Sequence, residues 1–456
     1  MALTATHSSM RARKGMKFIL GLGATGISVA RYFAARGEPF EVADTRSKPP
    51  GLQALREIKT NAELHLGVFE PELFADAACV VVSPGVSISE AMLRQAKRGG
   101  TEIIGDIELF AREAQAPVAA ITGSNGKSTV ATLLAAMARE ADLLARAGGN
   151  LGMPALDLIE DLEPDLYVLE LSSFQLETTL SLRPAVATVL NISADHMDRY
   201  AAIADYAAAK ARIYRHSRNC VINRDDPVVA AMMQNIDKSK DVVSFGLDVP
   251  TQTHYGLRTD WDRIWLCKGE MRLLAEDELR IAGRHNTSNV LAALALGDAL
   301  GLPMPAMCDA VRTFIGLPHR TQWVAEYNGA NWYDDSKGTN VGATLAALQG
   351  MPGPVVLIAG GDGKGADFTP LRPVVASRVR AAVLMGRDAL RIAAVFNGAA
   401  PLSLVRDMEG AVEQAAHLAQ PGDHVLLSPA CASLDMYSGY MERGEHFVTA
   451  VRSLLP

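Results

Sequence analysis

Short apolar runs alternate with glycine turns and helical stretches along this chain, the order expected of parallel α/β units. Residues 18–20 form an apolar run, 21–26 a glycine turn, 27–36 a helical pattern and 41–44 a second run, which predicts a βαβ start. Runs at 79–82 and 102–104 continue the alternation, and the first unit is expected to end near Asp106. A new strand at 117–121 leads into Thr122-Gly-Ser-Asn-Gly-Lys-Ser-Thr129 and then a helix-like Ala/Leu/Met stretch. Runs at 166–169, 186–190 and 219–222, with a more β-like patch at 264–274, fill a second unit that closes near Leu317-Pro318. Four further runs, at 330–333, 355–358, 382–384 and 424–427, make a third. The pattern predicts an α/β protein of three domains. A loose extension over 1–16 precedes a Rossmann-like domain over 17–106, a central ATPase-like parallel sheet over 107–317, and a Rossmann-like domain over 318–456.

Composition narrows the function classes. A chain of 456 residues is long enough for several cores. A net charge of -7 with no Lys/Arg-rich block argues against bulk nucleic-acid binding. The five cysteines are scattered without C-x-x-C spacing, so neither a disulfide framework nor a zinc site is indicated and a reducing cytoplasm fits. No secretory signal and no membrane-spanning run are visible.

The densest chemistry lies at Gly123, Ser124, Asn125, Gly126, Lys127, Ser128 and Thr129. A buried strand, a glycine turn and Lys-Ser at a helix start suit a nucleoside triphosphate, because backbone N–H groups and the helix dipole meet the anion. Lys127 would neutralise β/γ oxygens, and Ser128 or Thr129 would face magnesium. The loop is shorter than the general phosphate-loop pattern, with Ile121 in the place of its first glycine. A second turn, Gly21-x-Gly-x-x-Gly26 with Asp44 eighteen positions later, fits a dinucleotide fingerprint and would by itself suggest a dehydrogenase. A UDP-sugar pyrophosphate on that turn reconciles it with the ATP loop downstream.

Several single residues leave bland and functional readings side by side. Glu170 ends an apolar run, where parallel sheets place ligand groups, although it also suits the first turn of the next helix. His196 sits in the polar cluster 195–199, and a lone loop histidine is commonly just hydrogen-bonded. Lys210 on an Ala-rich stretch reads as a solvated charge. Asn150 lies in a Gly/Asn-rich turn, and an N-cap role would explain one of Asn286 and Asn289.

Thr122 to Thr129, Leu169-Glu-Leu-Ser-Ser-Phe-Gln175, Asp195-His-Met-Asp-Arg-Tyr200, Gly360-Gly-Asp-Gly-Lys364 and Ser428-Pro-Ala-Cys-Ala-Ser-Leu-Asp435 together resemble the Mur ligase family, in its D-glutamate-adding branch. The resemblance runs from about Phe18 to near the C-terminus. It implies an ATP-dependent amide ligase of peptidoglycan precursor synthesis that joins D-glutamate to UDP-N-acetylmuramoyl-L-alanine through an acyl phosphate. It assigns magnesium, as two ions, to Ser128, Glu170, His196 and Lys210, the last as a carbamate; hard magnesium prefers oxygen donors, which a carbamate supplies and an ammonium does not.

The same resemblance gives catalytic roles to Lys127, Asn150, His196, Lys210 and Lys337. Nucleotide contacts fall to Asn286, Asn289, Arg320 and Asp335. The UDP-substrate falls to Thr25, Asp44, Thr45, Arg46, Ser172 and Gln175, with Ser173 on the same loop and Arg199 near the acyl phosphate. D-glutamate falls to Thr339, Lys364, Ser433 and Tyr440, where Tyr440 replaces the family's phenylalanine and adds a hydroxyl. Gly338 stands where the family has alanine, and 321–324 departs from its pattern. A monomer without nucleic-acid or membrane partners is expected. An NAD-dependent oxidoreductase would instead use Asp44 on a ribose, and a nucleotide sensor would lack Glu170, His196 and Lys210.

Overall fold

The computed structural model describes residues 15–455 apart from 59, 151 and 282, so the extension expected over 1–16 lies almost wholly outside the described residues. The first sheet holds β1 (Lys17–Leu20), β2 (Phe40–Asp44), β3 (Leu64–Leu66), β4 (Cys79–Val82) and β5 (Glu102–Ile104), all parallel, in the order β3-β2-β1-β4-β5. The order in which strands are added reverses between β1 and β4, and a ligand crevice opens at their C-terminal ends. The turn there requires glycine: Gly21 has φ +95, and a Cβ on Gly26 would sit 2.1 Å from the Gly21 carbonyl oxygen.

The second sheet holds β6 (Val118–Thr122), β7 (Ala145–Gly149), β8 (Leu166–Glu170), β9 (Val186–Val189), β10 (Asn219–Asn223), β11 (Asp241–Phe245), β12 (Tyr255–Asp260), β13 (Arg263–Lys268) and β14 (Met271–Ala275). Its order is β14-β13-β12-β11-β10-β9-β6-β8-β7. Pairing is parallel from β7 across to β12 and antiparallel beyond. The β-like patch expected at 264–274 is two strands, β13 and β14, broken at Gly269. Covered on both faces, β6 and β8 are buried at every position, which is why they read as unbroken apolar runs.

Helix Lys127–Glu140 packs on Arg284–Ala299 and Met304–Thr313. In the middle helix Val290 to Leu296 are each 0% exposed, so it is apolar all round and enclosed. Burying each of its leucines contributes about 2 kcal/mol, and this anchors the helix carrying the phosphate loop.

The third sheet holds β15 (Gln322–Tyr327), β16 (Ala330–Asp334), β17 (Val355–Gly360), β18 (Val379–Met385), β19 (Leu402–Leu404) and β20 (His424–Leu427), ordered β15-β16-β20-β17-β18-β19. Only the β15–β16 pair is antiparallel. The loops after β16, β17 and β20 therefore leave the sheet at the same, C-terminal, end. Among the described residues no helix is long and apolar enough to cross a membrane.

Candidate active site

β6 delivers its loop at the C-terminal end of the sheet, between its parallel neighbours β8 and β9. Gly123 (φ +149) and Gly126 (φ +84) make the turn, and Gly126 is the N-cap of helix Lys127–Glu140. Asn191 fastens the loop, accepting from Asn125 N (2.8 Å) and donating to Asn125 O (3.1 Å). Ser124 Oγ donates to Ser193 O (3.0 Å). Lys127 folds back, its Nζ donating to Gly123 O (2.8 Å) and Ser124 O (3.0 Å).

Glu170, the last residue of β8, is 4% exposed and faces that loop. Ser128 Oγ donates to its Oε2 (2.6 Å) and Asn150 Nδ2 to its Oε1 (2.8 Å). Burial raises its pKa, but the Lys127 charge, these two hydrogen bonds and Arg320 outweigh burial and hold it below the usual value. It does not cap the next helix: Ser172 does, in a capping box with Gln175 whose amide N donates to Ser172 Oγ (3.2 Å). Ser173 is the first residue of that helix and is buried.

Lys210 is 1% exposed rather than solvated. Its Nζ donates to Gly123 O (2.9 Å) and Thr122 Oγ1 (3.3 Å) and lies 4.6 Å from the Tyr206 ring centre. Burial, with the Lys127 charge added, drives its pKa well below the ordinary value. His196 adopts φ +56, packs edge-on against Phe174 with ring centres 4.9 Å apart, and has Nε2 3.8 Å from Asp195 Oδ2. Burial lowers its pKa, and the Lys364 and Lys210 charges add to this against Asp195 and Asp198.

A cavity of about 330 Å³ lies between the loop and the third domain. Asn125, Gly126 and Thr129 line one wall, Asn286 and Asn289 a second, and Arg320, Asp335 and Lys337 a third. The N-cap expected of one asparagine falls instead to Gly283 (φ +97), and both asparagines lie inside helix Arg284–Ala299. Arg320 Nη2 donates to Ser128 Oγ (2.9 Å), tying the third domain to the loop. Asn340 Nδ2 adds contacts to Asn125 Oδ1 and Asp195 Oδ2, each at 3.3 Å. Asp335 accepts from Ser428 Oγ (2.7 Å) and Thr321 N (3.1 Å), and burial pushes its pKa up to about 7.

A larger cavity, about 950 Å³, opens on the first sheet's crevice. Thr25, Asp44, Thr45 and Arg46 line one side; Asn150, Gln175 and Arg199 line the other. Asp44 accepts four hydrogen bonds, from Leu22 N and from Arg46 N, Nε and Nη2, which fills its acceptor sites and leaves none for an adenosine ribose. Arg199 donates to Pro84 O (2.7 Å) and Val86 O (3.2 Å), clamping the loop after β4 to the central domain. Ser172 does not line this cavity; its hydroxyl is taken by the capping box.

Thr339, Lys364, Ser433 and Tyr440 lie on neighbouring third-domain segments. Lys364 (φ +50, exposed) lies in the loop after β17, and Asp362 in that loop pairs with Ala432 beside Ser433 through N–H···O bonds of 3.0 and 2.8 Å. Ala430 N donates to Gly338 O (2.9 Å), and Thr339 N to Lys337 O (2.8 Å). Lys337 Nζ stands 3.8 Å from the Tyr440 ring centre, and burial with the nearby Arg320 charge lowers its pKa to about 8.

Asn191 and His285 line the smaller cavity, Asn340 bonds to its wall residue Asn125, and none of the three was singled out by sequence. Each is one polar residue without a spacing signal. Only Asn340, four residues past Ser336 and just before a helical run, shows an N-cap pattern that could have drawn notice.

Three family models match in chain order: the Mur ligase MurD-like N-terminal domain over 16–105, the Mur ligase middle domain over 121–297, and the Mur ligase glutamate ligase domain over 319–431. The chain is 55% identical to the UDP-N-acetylmuramoylalanine–D-glutamate ligase of Nitrosococcus oceani, across 96% of both chains. It is 51% identical to the enzyme of the same name from Pseudomonas aeruginosa, across 98% of this chain and 100% of that one. The solved UDP-N-acetylmuramate-alanine ligase of Thermotoga maritima shares the fold, with a TM-score of 0.59 at 18% identity over 96% of this chain and 99% of that one. By its three domain matches in sequence order and its full-length relatives, this chain belongs to the Mur ligase family.

Proposed function

We infer that this chain is the ATP-dependent ligase that adds D-glutamate to UDP-N-acetylmuramoyl-L-alanine in peptidoglycan precursor synthesis, releasing ADP and phosphate. The names of its full-length relatives support the substrates. One geometric observation carries the chemistry: a continuous run of hydrogen bonds, Asn150 to Glu170 to Ser128 to Arg320, joins the larger cavity to the smaller. A carboxylate entering from the first cavity and a γ-phosphate from the second would meet there.

ATP would occupy the smaller cavity with its phosphates on the loop 123–129, drawing the Lys127 ammonium off its own carbonyls. The substrate carboxylate oxygen attacks the γ-phosphorus, the bond to ADP breaks, and an acyl phosphate forms. The D-glutamate amine then attacks the acyl carbon, the C–O bond to phosphate breaks, and the nitrogen gives up a proton as the amide closes. Positioning and charge neutralisation carry most of this. Lys127, Arg320 and Lys337 supply positive charge, while Asn150 orients the acyl end. The UDP moiety falls to Thr25, Thr45 and Arg46, with Asp44 holding Arg46 in place. Lys364, Thr339, Ser433 and Tyr440 receive the amino acid's two carboxylates.

The residues fit magnesium: an ionised buried carboxylate and a hydroxyl converge at the loop's end, the hard oxygen donors it prefers. Bound there, magnesium neutralises phosphate charge. A second ion would fall to His196 and Lys210, with Lys210 as a carbamate. The neutral amine favoured by its burial is the form that reacts with carbon dioxide, forming an N–C bond and releasing a proton. We read the enzyme as a monomer of the cytoplasm, divided at 17–106, 107–317 and 318–456, working without nucleic acid or membrane. Its five buried, free cysteines suit a reducing compartment. Omitting components one at a time from a phosphate-release assay tests the reaction; release that persists without the UDP-substrate would refute it.

A further inference from the structure

Under the third domain's site lies a buried cation whose hydrogen-bond acceptors are all neutral. Arg443, on helix Tyr440–Arg452, is 1% exposed. Its Nε donates to Ser336 Oγ (3.0 Å), Nη2 to Ser336 O (2.8 Å) and Nη1 to Cys431 O (3.2 Å). Burying an ion is costly, and here the Asp435 and Asp334 charges offset only part of that cost without any direct ion pair. A neutral side chain of the same volume would pack the same space, so the position asks for what a guanidinium adds: a rigid fork of five donors.

That fork spans the two halves of the site. Ser336 sits between Asp335 and Lys337 on the nucleotide side; its amide N donates to Asp334 Oδ1 (2.8 Å) and its hydroxyl to Tyr440 O (2.8 Å). Cys431 is two residues before Ser433, and Ala432 between them is the residue that pairs with Asp362 of the Lys364 loop. One side chain thus grips the strand end that carries Lys337 and the loop that carries Ser433. The next residue completes the arrangement. A Cβ on Gly444 would lie 2.2 Å from His319 Nδ1, so only glycine lets the helix pass under the His319–Asp334 pair (2.6 Å) that precedes Arg320.

We propose that Arg443 is a positioning residue that locks segments 335–337 and 431–433 into one unit, fixing the spacing between the nucleotide and amino-acid subsites. The inference rests on the functional reading above, which assigns those subsites. Arg443 lines neither cavity, so a selective rise in two of the three KM values, with the UDP-substrate's unchanged, is what separates positioning from a purely structural role.

Full-length Arg443→Lys and Arg443→Met are compared with the unaltered chain by steady-state kinetics for each of the three substrates, with melting temperature measured alongside. Lysine keeps the charge and loses the fork, so KM for ATP and for D-glutamate should each rise about 10-fold, the loss of one charge-assisted hydrogen bond. KM for the UDP-substrate should stay within about twofold, a difference too small to represent a lost contact. Methionine should raise the first two further. Three unchanged KM values with kcat reduced only by the unfolded fraction would overturn the proposal, as would three KM values rising together. If the methionine variant does not fold, the lysine variant decides by the same three values. An unaltered chain without D-glutamate-dependent phosphate release would overturn the functional reading and this inference with it, whereas an active unaltered chain with an indifferent Arg443 overturns the inference alone.

Discussion

Lys337 stands partly buried beside Arg320 with its ammonium on the Tyr440 ring, and burial brings its pKa down to about 8. The cation that would hold phosphate or the acyl group is present below that pH and lost above it. The pH profile of kcat/KM for ATP, which reports groups of the free enzyme, should therefore fall as pH rises through about 8. Lys337→Arg should remove that fall, because guanidinium stays charged there; a flat profile in the unaltered chain would contradict the role. Lys210→Ala should lose activity that short carboxylates such as acetate partly restore, and no restoration would count against the carbamate. Lys210 also shows where single residues stop being legible. An Ala-rich helix reads as solvated, whereas the side chain is 1% exposed because it points under the loop carbonyl of Gly123, a long-range contact that no local pattern reports. The asparagines 286 and 289 failed as caps for a similar reason: Gly283 starts the helix earlier, leaving both on a face turned to the cavity.

The strand, turn and helix over 118–140 were legible as one element because three signals coincide: a buried strand, glycines where φ is positive, and an apolar helix. Gly126→Ala tests this element. A Cβ there would lie 2.4 Å from Asn289 Oδ1, and the left-handed conformation costs alanine about 1–2 kcal/mol. Calorimetric titration should show weakened ATP binding with UDP-substrate binding unchanged; unaltered ATP affinity would mean that the loop's shape is not what binds the nucleotide. β7, by contrast, was missed. Its sequence Ala-Arg-Ala-Gly-Gly lacks β-branched and aromatic residues, and it is a strand because β8 pairs with it. Missing it made Asn150 look like a turn residue, when it stands at a strand end with its amide N–H bonded to Glu170 O (2.8 Å).

The third domain meets the central one at the phosphate loop, whereas the first domain is held away from that loop, with Ser28 and Arg31 on Asp157. Arg199 ties the first domain to the central one, and Arg320 and Asn340 tie the third domain to Ser128 and Asn125. None of this was visible in sequence, which places Arg320 at a junction but cannot say which groups face it. Arg320→Ala should raise KM for ATP by about 10- to 100-fold, the range for a lost charge-assisted hydrogen bond, and should leave UDP-substrate affinity as it was. An unchanged KM for ATP would mean that the third domain does not act on the nucleotide. The central claim is that the two cavities joined through Asn150, Glu170 and Ser128 serve one amide-forming reaction with D-glutamate. Phosphate release measured with ATP, magnesium, UDP-N-acetylmuramoyl-L-alanine and each glutamate enantiomer in turn tests it most directly. Release should require every component and proceed with D-glutamate only; equal release with L-glutamate, or none with either enantiomer, would contradict it.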